Sequence, residues 1–210
     1  MDLSDLRRDF GKFGLQQEKM PDDPFPVLKD WLHAAKEAGI GEFNAMVLST
    51  VSRAGRPSSR VVLLKEITES GNLIFYTNYY SRKGRELMNN RFAALNFFWH
   101  ELERQIRVEG EVVKTSREVS NTYFKSRPIE SQLSAVVSPQ SEPIDDLGQL
   151  REKAEKLFLS GDKIELPGFW GGFSLSPDLF EFWQGGKNRL HDRIRYVMNK
   201  QGWLRERLAP

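Results

Sequence analysis

Apolar residues recur along the chain at two periods, one helical and one alternating. Near the start, Val27, Leu28, Trp31, Leu32, Ala35 and Ala38 fall on one helical face after Pro24 and Pro26, and Gly39 suits a C-cap. Strand signals follow. Residues 44–51 are rich in apolar and β-branched side chains, and Arg53-Ala54-Gly55-Arg56 reads as a turn. A second strand is expected over 59–67 around VVLL, and Ser70-Gly71-Asn72 turns into a third at Leu73–Asn78. Ser81 can cap a helix over Arg82–Asn89, and Phe92–Trp99 reads as a buried strand.

The cleanest alternation runs over Arg104–Lys114, where Ile106, Val108 and Val112 oppose Gln105, Arg107, Glu109 and Glu111. Helices are expected at Arg117–Ser126, at 128–137 with Pro128 in the first turn, and at Leu147–Leu159. Strands return at 169–174, 179–183, 194–198 and 203–208, the last two joined by Lys200-Gln201-Gly202. Eight or nine strands with little strand–helix alternation favour antiparallel pairing. The expected fold is mainly β with packed helices (α+β), a closed or partly closed antiparallel β-barrel with helices outside it. No GxGxxG and no Walker loop occur, so a Rossmann or P-loop nucleotide site has no support.

Composition narrows the chemistry. The 210 residues suffice for one sizeable core with a small appendage. Cysteine is absent, which excludes disulfides, thiolate metal sites and a cysteine nucleophile. The histidines are His33, His100 and His191, with no HExxH pair, and no metal is expected. A charged start and an apolar maximum no longer than about Phe92–Trp99 leave no secretory signal and no membrane span, so a cytoplasmic protein is expected. The net charge of +2 argues against a nucleic-acid-wide binding surface. That sum hides two basic blocks: residues 51–130 carry 14 basic against 9 acidic residues, and residues 181–210 carry 7 against 3. Such blocks are either solvated strand faces or, if they meet, a local anion pocket.

Five segments mix cations, hydroxyls and amides. Arg60 and Lys65 bracket VVLL and can hold a charge at each end of a strand, or merely keep it soluble. Ser81-Arg82-Lys83 stands at a helix start, where amides and dipole favour a phosphate and where a plain cap is equally at home. Tyr123, Arg127 and Ser131, four apart, line one helical side if the helix continues through Pro128; they would make a phosphate clamp or an exposed face. Gln140-Ser141 lies between Pro139 and Pro143 and is either ligand contact or turn filler. In FWQGGKNRLHDR, Arg189, His191 and Arg193 alternate and share a face if extended, and a histidine between arginines favours the neutral ring.

The order and spacing of SRVVLLK, FYTN, SRKG, WHELERQIRVEG, YFKSRPIESQ, SPQS, FWGGF, FWQGGKNRLHDR and the RLAP ending resemble the pyridoxamine (pyridoxine) 5′-phosphate oxidase family, from about Arg7 to Pro210. The resemblance implies an FMN-binding split β-barrel, a homodimer with FMN at the subunit interface, and oxidation of pyridoxamine or pyridoxine 5′-phosphate to pyridoxal 5′-phosphate with O2 as acceptor and H2O2 as product. It implies one domain over 23–210 and a substrate-covering segment over 1–22. By motif, the flavin would meet Arg60, Val61, Val62, Leu63, Leu64, Lys65, Tyr76, Thr77, Arg82, Lys83, Gln105, Gln140, Ser141, Trp183 and Arg193.

The substrate would meet Lys65, Tyr123, Arg127 and Ser131 through its phosphate. Arg189, Leu190 and His191 would lie at its ring, with Arg189 and His191 catalytic, and Arg7, Arg8, Asp9 and Phe10 would fold over it. The family often has tyrosine where Phe10 stands, glycine at Ser134 and tryptophan at Val136, which bears on lid closure and local packing. Other readings of the same residues are a split-barrel flavin reductase, or a non-enzymatic binder of pyridoxal phosphate or nucleic acid.

Overall fold

The computed structural model describes Met1, Phe10, Gly11 and residues 14–210. The expectations placed on Arg7, Arg8 and Asp9 lie outside the described residues. Helix α1 (Pro24–Glu37) starts where expected: the Asp23 side chain accepts the Phe25 N–H at 3.0 Å and Pro24 fills the first turn. Its buried stripe of Val27, Leu28, Trp31, Leu32 and Ala35 lies on the sheet, where the Trp31 ring meets Phe182 edge-on at 5.4 Å. Each such large side chain taken from water contributes about 1.5–3 kcal/mol.

The strands are β1 (Ala45–Val51), β2 (Pro57–Leu63), β3 (Glu66–Ile67), β4 (Leu73–Asn78), β5 (Phe92–Trp99), β6 (Arg104–Lys114), β7 (Trp170–Gln184), β8 (Asp192–Asn199) and β9 (Gly202–Leu208). All pair antiparallel in one sheet of order β2-β1-β5-β6-β7-β4-β3, with β8 on β7 and β9 on β8. Helix α2 (Arg82–Asn89) follows β4, and α3 (Arg117–Ser126), α4 (Ile129–Val137) and α5 (Leu147–Leu159) lie between β6 and β7. On β6, Ile106 and Val108 are fully buried and Val112 nearly so, as the alternation requires.

Three expectations need correction. The strand over 59–67 breaks at Leu64: β2 pairs with β1, then the Lys65 N–H turns to the Ile74 carbonyl of β4. The strands at 169–174 and 179–183 are one strand, β7. It runs along β6 from Phe173 to Gln184, while its first half pairs with β4 and its second half with β8. Pro177 is accommodated at a register shift opposite Gly110, where any Cβ would strike the Ser176 carbonyl. Helix α4 starts after Pro128, and Arg127 is extended at ψ 151°, so no continuous helix carries Tyr123, Arg127 and Ser131.

Candidate active site

A cavity of about 530 Å³ opens between β2, β4, α2 and the α3–α4 junction. Among the residues singled out from the sequence, Arg60, Val61, Val62, Leu63, Lys65, Tyr76, Thr77, Lys83, Tyr123, Arg127, Ser131 and Gln140 line it. The Tyr123–Arg127–Ser131 set thus converges, through a bend at Pro128 rather than along one helix.

Lys83 sits at one end, in the first turn of α2, set there by the Ser81 cap on Gly84 N–H. It is 8% exposed, and its Nζ donates to Thr77 Oγ1 (3.2 Å), Ser81 Oγ (3.4 Å) and Gln140 Oε1 (3.1 Å). All three partners are neutral. Burial, with the Arg60 charge nearby, brings its amine down to about 8. Arg60 lines the same end, but its Nη atoms donate inward to the Leu48 carbonyl, Thr50 and Ser58.

The other end is aromatic and basic. Tyr76 and Tyr123 stack at 3.8 Å and Trp170 lies parallel beyond them, 6.2 Å from Tyr123. The Arg127 guanidinium covers Trp170 at 4.7 Å, and its Nη1 is buried without a hydrogen-bond partner. Burial lowers its pKa. The Lys65 Nζ stands 6.0 Å from the Tyr123 ring. Burial, first among its causes, raises the Tyr76 phenol to about 12. Trp170 was not singled out individually; it sits in the FWGGF segment, and its contact with both Tyr123 and Arg127 depends on tertiary packing.

Three expected contacts of this half face elsewhere. Leu64 is 6% exposed, in the core. The Arg82 Nε turns back to Glu86 Oε1 at 2.9 Å, and Arg82 does not line the cavity. Ser141 is exposed at φ 74° and is likewise absent from the cavity wall.

A second group lies on the other half of the sheet. Gln105, Trp183 and Arg193 are cross-strand neighbours on β6, β7 and β8. Arg193 Nε donates to Glu181 Oε1 at 2.8 Å and its Nη1 to the Ala209 carbonyl at 2.9 Å. Glu181 is 3% exposed and also faces Arg107 at 3.5 Å. The Glu181 hydrogen bond raises the Arg193 pKa. Arg189, His191 and Arg193 do not share an extended strand: Lys187–Arg189 forms a 3-10 turn, with Asn188 at φ 55° and Arg189 at φ 62°. His191 Nδ1 accepts the Gly186 N–H at 3.1 Å, which leaves Nε2 as the protonated nitrogen of a neutral ring. Phe10 touches the Trp183 and His191 rings edge-on at 5.7 and 5.8 Å, and Leu190 is 70% exposed. None of Gln105, Trp183, Arg189, His191 and Arg193 lines the β2–β4 cavity.

The basic C-terminal block is mostly ion-paired. Arg193 is bound to Glu181, Arg195 to Glu206, Arg205 to Asp22 and Arg207 to Asp192. The other three cations of the block, Lys187, Arg189 and Lys200, are exposed. No helix among the described residues is long and apolar enough to cross a membrane.

A family model described as pyridoxamine 5′-phosphate oxidase matches residues 32–160, and one described as the pyridoxine 5′-phosphate oxidase C-terminal dimerisation region matches residues 170–210. The pyridoxine/pyridoxamine 5′-phosphate oxidase of Mannheimia succiniciproducens is 46% identical over the full length of both chains. That of Legionella pneumophila (strain Lens) is 48% identical over 99% of this chain and 97% of its own. Among solved structures, PhzG from Burkholderia lata 383, in complex with tetrahydrophenazine-1-carboxylic acid, superposes with a TM-score of 0.90 at 31% identity, covering 95% of this chain and 99% of that one. An FMN-binding, pyridoxamine 5′-phosphate oxidase-related protein of Nostoc punctiforme shares the fold at a TM-score of 0.74 and 18% identity, over 91% of this chain and 100% of its own. With full-length relatives at this identity, and family matches that together span the barrel and the C-terminal strands, the chain belongs to the pyridoxine/pyridoxamine 5′-phosphate oxidase family.

Proposed function

We propose that the chain oxidises pyridoxamine or pyridoxine 5′-phosphate to pyridoxal 5′-phosphate, with FMN as cofactor and O2 as acceptor. The observation that carries this reading is the β2–β4 cavity, with a cation group at each end and no carboxylate in its wall. Two small phosphates would suit those two ends. The residues fit FMN: Lys83 offers a buried amine with only neutral partners, and the orphaned Arg127 Nη1 awaits an anion nearby. Lys83, Thr77, Gln140 and Arg60 would hold the flavin phosphate, and Lys65, Tyr123, Arg127 and Ser131 that of the substrate. Bound FMN supplies the two-electron acceptor.

The protein's own part is placement and charge. Tyr76 and Trp170 fix the Tyr123 ring, so the clamp is set before ligand arrives. Arg189 and His191 would orient the vitamin ring, with the His191 Nε2–H as donor, while Gly186 holds its Nδ1. Two electrons and two protons leave the substrate and reduce O2 to H2O2. With the amine, the imine then takes up water and releases ammonia.

The second group does not reach the cavity of its own chain, and it lies within the matched dimerisation region except for Gln105. This supports a homodimer in which Gln105, Trp183, Arg189, His191 and Arg193 complete the site of the partner, with FMN at the interface. The packing of Phe10 on Trp183 and His191 supports one domain over 23–210 with residues 1–22 covering the substrate. The paired C-terminal arginines weigh against nucleic acid as a partner. A cysteine-free chain fits the cytoplasm.

The test is anaerobic mixing of FMN-loaded protein with each substrate, then admission of air. Bleaching of the flavin absorbance, pyridoxal phosphate formation and oxygen uptake are expected. Flavin-loaded protein that neither substrate reduces would overturn the reading.

A further inference from the structure

We propose that Glu86 is a positioning residue: from behind the cavity wall it fixes the Arg60 guanidinium, with Arg82 as its second partner outside the cavity, so that the flavin's phosphate is selected over the same flavin without one. This rests on the FMN reading above.

Glu86 lies in the second turn of α2 and is 6% exposed. Its Oε2 accepts Thr50 Oγ1 at 2.5 Å and Ser58 Oγ at 2.6 Å, and stands 3.4 Å from Arg60 Nη2. Its Oε1 accepts Arg82 Nε at 2.9 Å. One carboxylate therefore ties β1, β2 and α2 together. Burial pushes its pKa up, but the hydrogen bonds from Ser58, Thr50 and Arg82 and the Arg82 charge outweigh this and hold it at about 2. It is a permanent anion at every physiological pH.

Two features point beyond a fold-stabilising role. First, the same Thr50 and Ser58 hydroxyls that donate to Glu86 also receive Arg60, through Nη1 at 2.6 Å and Nη2 at 2.5 Å. Arg60 thus has one permitted orientation, and its Nε is the N–H with no partner among the described residues. Second, the carboxylate reaches Arg60 and Arg82 but makes no bond to Lys83, whose amine keeps neutral partners only. Arg60, Arg82 and Lys83 would otherwise repel: burial is the main cause that lowers the Lys83 and Arg60 pKa values, and the Arg60 charge adds to it at Lys83 as the Arg82 charge does at Arg60. A counter-charge placed behind the arginines relieves that repulsion without spending the lysine.

The test is binding of FMN and of riboflavin to the flavin-stripped, full-length protein, read by quenching of flavin fluorescence. Glu86→Gln keeps the size, removes the charge and replaces one of the two acceptor oxygens with an NH2 donor. Its preference for FMN over riboflavin should fall about tenfold or more, as the loss of ordered charged hydrogen bonds predicts, while riboflavin affinity stays within about twofold. A general loosening of the fold would weaken both flavins alike and overturns the inference. An unchanged or increased preference also overturns it, because Glu86 would then be only a counter-charge. Should Glu86→Gln fail to fold, Ser58→Ala removes the bridging hydroxyl from a half-exposed strand position and should lower the same ratio severalfold; an unchanged ratio there overturns the inference too. Wild-type protein that does not prefer FMN would instead overturn the flavin reading itself.

Discussion

The two halves of the proposed site hold their cations in opposite ways. Around β2, β4 and α2, Lys83 and Arg127 face a cavity with neutral partners or none, and their pKa values are lowered by burial. On β7 and β8, Arg193 has its Nε on a buried carboxylate and Nη1 on a carbonyl, with a raised pKa. The first half is assembled at a cost in folding free energy that an anion can repay. The second is stable by itself and contributes fixed side chains on a sheet, plus the exposed turn of Arg189 and Leu190. In the proposed dimer, an interface between two copies would bring these unlike halves together.

The largest expected effect breaks or makes that division. Arg127→Ala and Arg189→Ala should each lower kcat/KM about a hundredfold or more, since each removes a positioned charge at the reacting substrate. Unfolded and refolded together in equal amounts, the two inactive variants should recover about a quarter of wild-type activity, because half of the dimers are mixed and each mixed dimer has one intact site. No recovery would place both halves within one subunit.

Next in size is a stability effect of opposite sign in the two halves. Lys83→Met should stabilise the flavin-free protein by up to about 3 kcal/mol, because the buried amine no longer has to be charged, and should weaken FMN binding about tenfold or more. Arg193→Met should destabilise the flavin-free protein by about 2 kcal/mol or more, leaving Glu181 buried with only Arg107 nearby. Thermal melts of the stripped proteins check both.

The Lys83 amine also gives a smaller pH effect. Its cost to the empty fold is fully present below about pH 8 and fades as pH rises toward its ordinary 10.5. The stripped protein therefore gains stability over that window. FMN affinity changes the other way, falling by up to about tenfold between pH 7 and 9 as the amine next to Arg60 loses its proton. In Lys83→Met both trends should vanish.

Much of the frame was legible because it rests on local chemistry. The Ser81 cap, the helix bounds at Arg82–Asn89 and the alternation of Arg104–Lys114 depend on near neighbours and emerged as read. What depends on strand register did not. The partner change at Lys65 and the continuity of β7 through Pro177 are set by β4 and by the bulge at Gly110. The pairing of Arg193 with Glu181 follows from side chains meeting on one sheet face, so the basic block at 181–210 looked free in sequence and is mostly paired. Tyr123, Arg127 and Ser131 do line one cavity, although the helix that was to align them ends at Arg127. Trp170 and Glu86 act through residues far away in sequence, which composition and spacing do not reveal.

The smallest expected effect tests whether the second half is as rigid in its loop as in its sheet. Asn188 and Arg189 are consecutive left-handed residues, closed by the Leu190 N–H on the Lys187 carbonyl at 3.0 Å. Asparagine tolerates that conformation and glycine accepts it freely, whereas alanine costs about 1 kcal/mol there. Asn188→Ala should lower Tm by about 2–4 °C and kcat severalfold, because Arg189 is the next residue and shifts with it. Asn188→Gly should leave both nearly unchanged. If glycine lowered kcat as much as alanine, the asparagine side chain itself would be needed, and the turn would be a contact surface rather than a hinge that sets Arg189.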